Sequence, residues 1–249
     1  MKQTRALPFL LIILTGCGPA GEPESKKLPK NTVEPKPDAQ SETGGISTTG
    51  GALKASAEIL ADAVKKKKEG GDIEDKNIEQ LLRELLSAKN PDYNGQAQFQ
   101  SERGMPVAVS LAGTGVSDIS MLEGLPLMAL DLSNNPISNL SALKGMPLRE
   151  LFLEKTRVTD LSPIQGAPLI QIFLNETRVS NIKALKGMPL KNIYLPETRV
   201  KDISSLKGMA TLEGLWLNNA PVENIEPLRG LPIVTLTLRG TAVKDISPL

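Results

Sequence analysis

Four aromatic side chains recur at intervals of 21, 21 and 22 residues in the second half of the chain. The four are Phe152, Phe173, Tyr194 and Trp216. They are more than half of the seven aromatic residues in the whole sequence. Large, rigid aromatic side chains supply much of the binding energy at protein interfaces, so a row of them could form a contact surface. Three arginines follow the same period, and guanidinium groups in a row could hold carboxylates or an anionic glycan. These arginines are Arg157, Arg178 and Arg199.

The composition removes most catalytic chemistry. The chain has no histidine, which excludes histidine-based triads, histidine general bases and histidine-ligated metals. Cys17 is the only cysteine, so the chain can form neither an intrachain disulfide nor a zinc site built from cysteines. The 29 basic and 28 acidic residues give a formal net charge of +1, which offers no argument for a nucleic-acid partner. We therefore expect no enzyme activity, no cofactor and no nucleic-acid binding.

The candidate residues belong to a unit that repeats about every 21 residues. Aliphatic residues fill the positions two before and five, eight and eleven after one reference leucine in each unit, and no polar residue interrupts these columns. One unit cannot bury its own apolar edge, whereas stacked copies can, so the pattern predicts a solenoid with a shared core. The reference leucines are Leu111, Leu132, Leu153, Leu174, Leu195, Leu217 and Leu238.

Each unit contains signals for a strand followed by a tight turn. The alternating Leu-x-Leu segment predicts a short strand, and neighbouring strands should pair in parallel. Seven residues after each reference leucine stands an Asp or Asn, which are preferred helix N-caps. In six units a glycine follows six residues later and can supply a left-handed stop. The short interval between cap and stop predicts a 3₁₀ turn or a single α turn.

The columns resemble the leucine-rich repeat family, in particular the short bacterial type with V-x-D-I-x-x-L that internalins contain. The segment KNPDYNGQAQF before the first repeat and LKGMPL between repeats are also similar to planctomycete leucine-rich repeat proteins. Some of those proteins carry a kinase domain, but this chain has none of the kinase motifs. The resemblance covers residues 92–249, about seven repeats with the last incomplete. It implies an α/β solenoid with a parallel sheet on the concave face and short 3₁₀ or helical turns on the convex face.

The repeat departs from the family at the position of its ladder asparagine. Only Asn135 has that residue, while five other units have threonine and one has Ala220. Threonine hydroxyls are expected to hydrogen-bond to the neighbouring turn. Ala220 cannot do so and lies in the unit of 22 residues, so we expect a local irregularity there.

Strand alternation predicts where the aromatic residues point. If both leucines of Leu-x-Leu face the core, the residue between them faces solvent on the concave side, which gives a ring ladder about 15 Å long. Partners of the resembled family bind this face, which implies a binding stripe with polar flanks. The alternative is that the stacked rings only stiffen the sheet. The expected partner-binding residues are Phe152, Phe173, Tyr194, Trp216, Glu150, Asn175, Asn192 and Asn218.

The arginine column also has two interpretations. The residues two before the three arginines are Lys155, Glu176 and Glu197. An arginine ladder could bind an anionic ligand. Glu–Arg pairs between neighbouring units, on a solvated edge of the array, are the alternative.

Residues 1–16 are typical of an export signal. Lys2 and Arg5 precede a short apolar run, Ala6 to Leu14, which is too short to span a bilayer as a helix. The sequence LTGC at 14–17 resembles the lipobox of bacterial lipoproteins, in which the cysteine receives a diacylglycerol and becomes the N-terminus. The resemblance implies a lipid anchor at Cys17, on the extracytoplasmic side of the outer or cytoplasmic membrane. A plain secretory signal with a chance cysteine is the alternative.

Two further segments separate the anchor from the repeats. Residues 17–51 contain almost nothing to bury and are predicted to form a disordered tether. Residues 52–91 are predicted to form a helical cap with helices at Leu53–Lys67 and about Glu74–Ala88. The apolar stripe of the second helix needs a partner, and the open end of the repeat array is the nearest candidate.

These features predict a membrane-anchored, non-catalytic module of the cell envelope that binds a protein or glycan on its concave face. A second hypothesis concerns the other end of the array. Leu249 belongs to a core column and no capping segment follows it, so we expect either that the gene product is truncated or that a partner or a second copy covers that end. The chain would then be a structural scaffold that self-associates through its uncapped end.

Overall fold

The computed structural model describes residues 58–66, 69 and 78–249. The predicted signal peptide, Cys17 with its tether, and the beginning of the helical cap lie outside the described residues. Of the two predicted helices, α1 is described at residues 58–66 and α2 spans Ile78–Lys89. Within these described ranges, no helix is both long and apolar enough to cross a bilayer.

Helix α2 packs its apolar stripe onto the first coil of the array, as predicted. Ile78, Leu82, Leu85 and Leu86 are buried and belong to the same apolar cluster as the repeats. Asn90 follows the helix and is 2% exposed. Its amide donates to the carbonyls of Leu86 and Asp118, and its Oδ1 accepts the backbone N–H groups of Ser117 and Asp118. One buried side chain therefore links the helix to the first coil.

The sheet begins with a hairpin that we did not predict. Strand β1 (Gln98–Glu102) pairs antiparallel with β2 (Met105–Ser110). The connecting residues, Arg103 and Gly104, both have positive φ, at 49° and 75°. Positive φ at both central positions is the geometry of a tight two-residue hairpin turn, and glycine adopts it readily. Strand β1 thereby covers the first edge of the sheet.

The remaining strands form the predicted parallel sheet. Strands β2 to β8 follow one another in chain order, each pairing in parallel with the next. The pairing aligns equivalent residues of successive repeats, so every sequence column becomes a row across the sheet. The strands after β2 are β3 (Ala129–Asp131), β4 (Glu150–Phe152), β5 (Gln171–Phe173), β6 (Asn192–Tyr194), β7 (Gly214–Trp216) and β8 (Thr235–Thr237).

Short 3₁₀ turns form the opposite side of the coils, as the capping column predicted. In all seven repeats the Asp or Asn oxygen accepts the backbone N–H two residues later, at 2.7 to 2.9 Å. The glycines that end the six described turns have positive φ. The six turns are Ser120–Leu122, Ser141–Leu143, Ser162–Ile164, Lys183–Leu185, Ser204–Leu206 and Glu226–Leu228.

The leucine columns form one continuous core between the sheet and the turns. The reference leucines from Leu111 to Leu217 are 0% exposed, and buried residues from Leu60 to Leu228 belong to a single cluster. Neighbouring coils supply the partners that each coil lacks, which is the reason repeat units are stable only when stacked. The chain is thus a leucine-rich repeat solenoid with an α/β architecture.

The ladder position differs from our expectation. Asn135 does bridge coils: its Oδ1 accepts the N–H groups of Gly115 and Val116, and its amide donates to the Leu111 carbonyl. The threonines do not. Thr156, for example, donates its hydroxyl to the Leu153 carbonyl of its own coil at 2.7 Å. A threonine side chain is too short to reach the next coil, so it closes its own turn instead.

Ala220 does not disturb the array, contrary to our expectation. Its N–H bonds to the Leu217 carbonyl at 2.9 Å, as the threonine N–H groups do in other coils. The additional residue of the longer repeat is accommodated about ten residues earlier, in a turn at Ala210–Thr211. There the Thr211 hydroxyl donates to the Leu190 carbonyl of the preceding coil. A loop before the strand absorbs the extra residue without shifting the strand register.

Candidate functional site

The four aromatic residues form one unbroken stack on the concave face. Strand pairing aligns Phe152 with Phe173, Phe173 with Tyr194, and Tyr194 with Trp216. The ring centroids lie 4.4, 4.0 and 4.0 Å apart, and the planes of neighbouring rings differ by 9° to 14°. The rings are not part of the core between the coils. The predicted orientation of the column is therefore correct.

The exposure of the rings differs from our expectation. We expected all four to face solvent, but Phe152 and Phe173 are only 4% and 5% exposed. Tyr194 and Trp216 are half-buried. Stacking alone does not explain this difference, because Phe152 is an end ring and Tyr194 is an inner ring of the stack. The accessible part of the aromatic stack is consequently its second half, Tyr194 and Trp216.

The flanking columns explain this gradient along the stack. Long polar side chains, Glu150 and Gln171, stand beside the two phenylalanines and are themselves buried, each 7% exposed. The equivalent positions beside Tyr194 and Trp216 are Asn192 and Gly214, which are progressively smaller. A smaller neighbour leaves more of the ring edge uncovered.

Gly214 is a site residue that our sequence analysis missed. A Cβ atom placed on it would lie 2.5 Å from Cζ3 and 2.6 Å from Cη2 of Trp216. The indole ring therefore lies directly over the Gly214 backbone. The signal was present in the sequence, because Gly214 is the only glycine in its column, but its meaning depends on the rotamer of Trp216.

The predicted polar flanks lie on the same face as the stack, with different environments. Asn175, Asn192 and Asn218 are half-buried, and Asn218 Oδ1 accepts the Arg239 N–H at 3.2 Å. Burial raises the pKa of Glu150, although a hydrogen bond from Gln171 opposes the shift. Burial also raises the pKa of Glu154, and repulsion from Asp131 adds to it. The acidic end of this face therefore holds carboxylates in an unfavourable environment.

The arginine column lies apart from the stack. Arg157, Arg178 and Arg199 are exposed, and the backbone N–H groups of Arg157 and Arg199 bond to the preceding coil. None of the three forms an ion pair with a described carboxylate. The pair at this edge is instead Lys155–Glu176, at 3.4 Å. The structure therefore does not contain the Glu–Arg pairs considered above, and the anion-binding role remains a prediction.

Two other features of the described chain bear on the hypotheses. The last coil exposes large apolar side chains, with Val234 83%, Ile246 64% and Leu249 65% exposed. These are the residues that self-association would use, and that hypothesis remains a prediction. Among the described residues, no three His, Cys, Asp or Glu side chains are grouped so that they could hold a metal ion.

Solved structures similar to this chain include two internalins from Listeria monocytogenes. An internalin, InlF, aligns with a TM-score of 0.55 and 23% identity over 76% of this chain and 52% of that one. Internalin C2 aligns with a TM-score of 0.49 and 23% identity over 77% of this chain and 87% of that one. The chain thus spans about half the length of InlF. No protein-family model matches the chain, and no curated protein matches it. The similarity to InlF agrees with the leucine-rich repeat fold.

Proposed function

We propose that this chain is a non-catalytic interaction module of the cell envelope that binds a protein partner on its concave face. The half-exposed pair Tyr194 and Trp216 forms the centre of the contact, with Asn192, Asn218 and Pro196 around it. A lipid on Cys17 holds the module at the membrane. The anchor is supported only by the LTGC sequence at 14–17 and its preceding apolar run.

The aromatic stack carries the proposal. Four parallel rings at 4.0 to 4.4 Å form a rigid surface, so few side-chain rotamers are lost when a partner binds. Tyr and Trp also combine large apolar area with a polar group, which makes them frequent anchors of protein interfaces. The neighbouring asparagines provide hydrogen-bonding groups at the rim.

The exposure of the four rings also bears on the alternative that they only stiffen the sheet. Phe152 and Phe173 are buried like structural residues, and they support the position of the outer pair. Stiffening alone would not require an exposed tryptophan, since a smaller aliphatic residue at position 216 would shield the sheet equally well. The structural and binding roles are thus divided along one stack.

The test compares capture of envelope proteins by immobilised full-length variants. Tyr194→Ala with Trp216→Ala removes the accessible rings, and Lys186→Ala with Lys207→Ala is the matched control on the exposed convex side. We expect the aromatic variant to reduce capture of a specific partner by at least roughly tenfold, as truncation of interface anchors does. The control should capture as much as the wild type.

Two additional measurements make the test decisive. Protease treatment of the extract should abolish capture, because the proposed partner is a protein. The far-ultraviolet circular dichroism of the aromatic variant should match that of the wild type. Equal capture by both variants would refute the proposal, and retention of capture after proteolysis would point to a glycan instead.

A further inference from the structure

An acidic basin lies on the concave face at the phenylalanine end of the stack. It consists of Asp131, Ser133, Glu150 and Glu154. Strand pairing places Asp131 beside Phe152 and Ala129 beside Glu150. Ser133 and Glu154 follow two residues after Asp131 and Phe152, so the four residues occupy neighbouring rows on one face. With strands about 4.8 Å apart and alternate residues about 7 Å apart, Asp131 lies between the two glutamates.

Small side chains form the floor of the basin. The equivalent positions on β2 and β3 are Ala108 and Ala129, which are buried, and just after β2 lies Ala112, which is exposed. The next strand carries Glu150, Phe152 and Glu154, which are much larger. The side chains of this face therefore become larger from β3 to β4, and Ala112 is the exposed small residue in the row of Ser133 and Glu154. A ligand group seated on Ala112 would approach Ser133 and Glu154 along that row.

Two buried polar atoms in the basin have no hydrogen-bond partner among the described residues. One is Oε2 of Glu150, on a residue that is 7% exposed, and the other is Oγ of Ser133, on a residue that is 4% exposed. Buried polar groups in native proteins are nearly always hydrogen-bonded, and an unpaired one costs free energy. Asn175 Oδ1, next to Glu154 in its row, also lacks a partner. Three unpaired oxygens thus lie in the rows on either side of Phe152 and Phe173.

The basin carboxylates form no ion pair among the described residues, although the charge of Lys155 acts to lower the pKa of Glu154 against the effects that raise it. Neither Asp131, Glu150 nor Glu154 forms an ion pair with a described Lys or Arg. The cations adjacent to basin residues in sequence are Arg149 and Lys155, and Lys155 pairs with Glu176 at 3.4 Å. Burial raises the pKa of both glutamates, which shows that their charges are poorly solvated where they stand. The Ser133 N–H bonds to Asp131 Oδ1 and Gln171 hydrogen-bonds to Glu150, but Glu150 Oε2 is left without a donor in the described part of the chain.

We propose that this basin binds the guanidinium group of an arginine side chain on the protein partner. A guanidinium supplies five N–H donors in one plane, which match the unpaired oxygens Glu150 Oε2 and Asn175 Oδ1 and the acceptor lone pairs of the Ser133 hydroxyl. It is also weakly hydrated, so it enters a partly buried site more easily than an ammonium group. The inference rests on the proposed function, since it specifies what the partner presents beside the aromatic contact.

A direct titration tests the ligand chemistry. The full-length protein is titrated with N-acetyl-arginine amide, and amide resonances are followed by nuclear magnetic resonance. N-acetyl-citrulline amide is the matched neutral probe, because it has nearly the same shape without the charge. We expect saturable shifts centred on Asp131, Ser133 and Glu154 with the arginine probe and none with citrulline.

Substitutions in the basin test whether its glutamates bind the probe. The double substitution Glu150→Gln with Glu154→Gln keeps the size of both side chains and removes both charges. It should therefore reduce the affinity for the arginine probe at least roughly tenfold. Glu197→Gln is the control, because Glu197 is exposed and lies outside the basin. Equal binding of citrulline, or unchanged affinity in the double variant, would overturn the inference. Saturable shifts of the same resonances with calcium chloride would do so too, because they would make the basin a metal site.

The capture assay separates this inference from the proposed function. If the partner presents arginine here, the Glu150→Gln and Glu154→Gln variant should lose capture, although both rings remain. Full capture by that variant would defeat the inference. In that case, loss of capture by the Tyr194→Ala and Trp216→Ala variant would still leave the proposed function standing.

Discussion

Gly214→Ala should displace the only tryptophan of the chain from its stack. The new Cβ atom would lie 2.5 to 2.6 Å from two indole carbons, whereas ordinary carbon contacts are about 3.5–4.0 Å. The ring must therefore retreat by about 1 Å. Because the φ of Gly214 is not in the left-handed region, alanine fits the backbone, and the effects to consider are the clash with the ring and an even closer contact with Oδ1 of Asn192, a short side chain that can shift.

Three terms set the expected change in stability. Overpacking of this kind costs about 1–3 kcal/mol, and weakening the Tyr194–Trp216 stack costs up to about 1 kcal/mol more. Reduced entropy of the unfolded chain returns about 0.4–1 kcal/mol. Part of the strain relaxes because the ring is half-exposed and can move outward. We expect a net loss of about 1 kcal/mol in the free energy of unfolding.

Fluorescence and near-ultraviolet circular dichroism measure the displacement directly, since all tryptophan signal comes from Trp216. We expect altered emission and a weaker near-ultraviolet signal, with an unchanged far-ultraviolet spectrum. Thr235→Ala, in the same row of the next strand and exposed, is the control and should leave all signals unchanged. If Gly214→Ala leaves the Trp216 emission unchanged and raises stability, the indole does not lie over Gly214 and our account of the exposure gradient is wrong.

Two further outcomes are expected from the hydrogen bonds and carboxylates. Asn90→Ala should lower the free energy of unfolding by about 3 kcal/mol in urea titrations, because the Ser117 and Asp118 N–H groups lose their buried acceptor. A loss below about 1 kcal/mol would show that α2 docks without Asn90. Glu150→Gln with Glu154→Gln should stabilise the protein at about pH 7 but not at about pH 3, where the glutamates are protonated in both states. The sign follows because burial raises the pKa of both glutamates in the folded protein. The stability that they contribute is therefore present below their unfolded pKa and is lost as the pH rises through their folded pKa. A destabilised double variant at neutral pH would contradict this.

The architecture could be predicted from the sequence because the same buried aliphatic positions recur in every repeat. Each coil places the same aliphatic columns in the same core, so the period, the strands, the turns and the caps follow from spacing alone. The orientation of Phe152, Phe173, Tyr194 and Trp216 followed from strand alternation in the same way. Strand β1 was missed because it belongs to no repeat and pairs antiparallel.

The details of the site depended on side-chain contacts that no column encodes. Whether a threonine reaches the next coil depends on its length relative to asparagine, as Thr156 and Asn135 show. The location of the extra residue depended on which segment could bulge most easily, which was Ala210–Thr211 rather than Ala220. Burial of Phe152 depended on the side chains beside it, since an outward-facing ring can still be covered.

The concave face can vary in a leucine-rich repeat solenoid because its rows do not take part in the core. The residue between two core leucines changes from Asp131 to Phe152 to Trp216 while the leucines beside it remain buried. Neighbouring rows then determine how much of each residue a partner can reach: Glu150 and Gln171 cover two rings, and Gly214 uncovers a third. The face therefore runs from an acidic basin with unpaired oxygens to an accessible aromatic pair within five strands. Substitutions in these rows should change the affinity for a partner more than the free energy of unfolding. Substitutions of Leu174 or its equivalents should do the reverse.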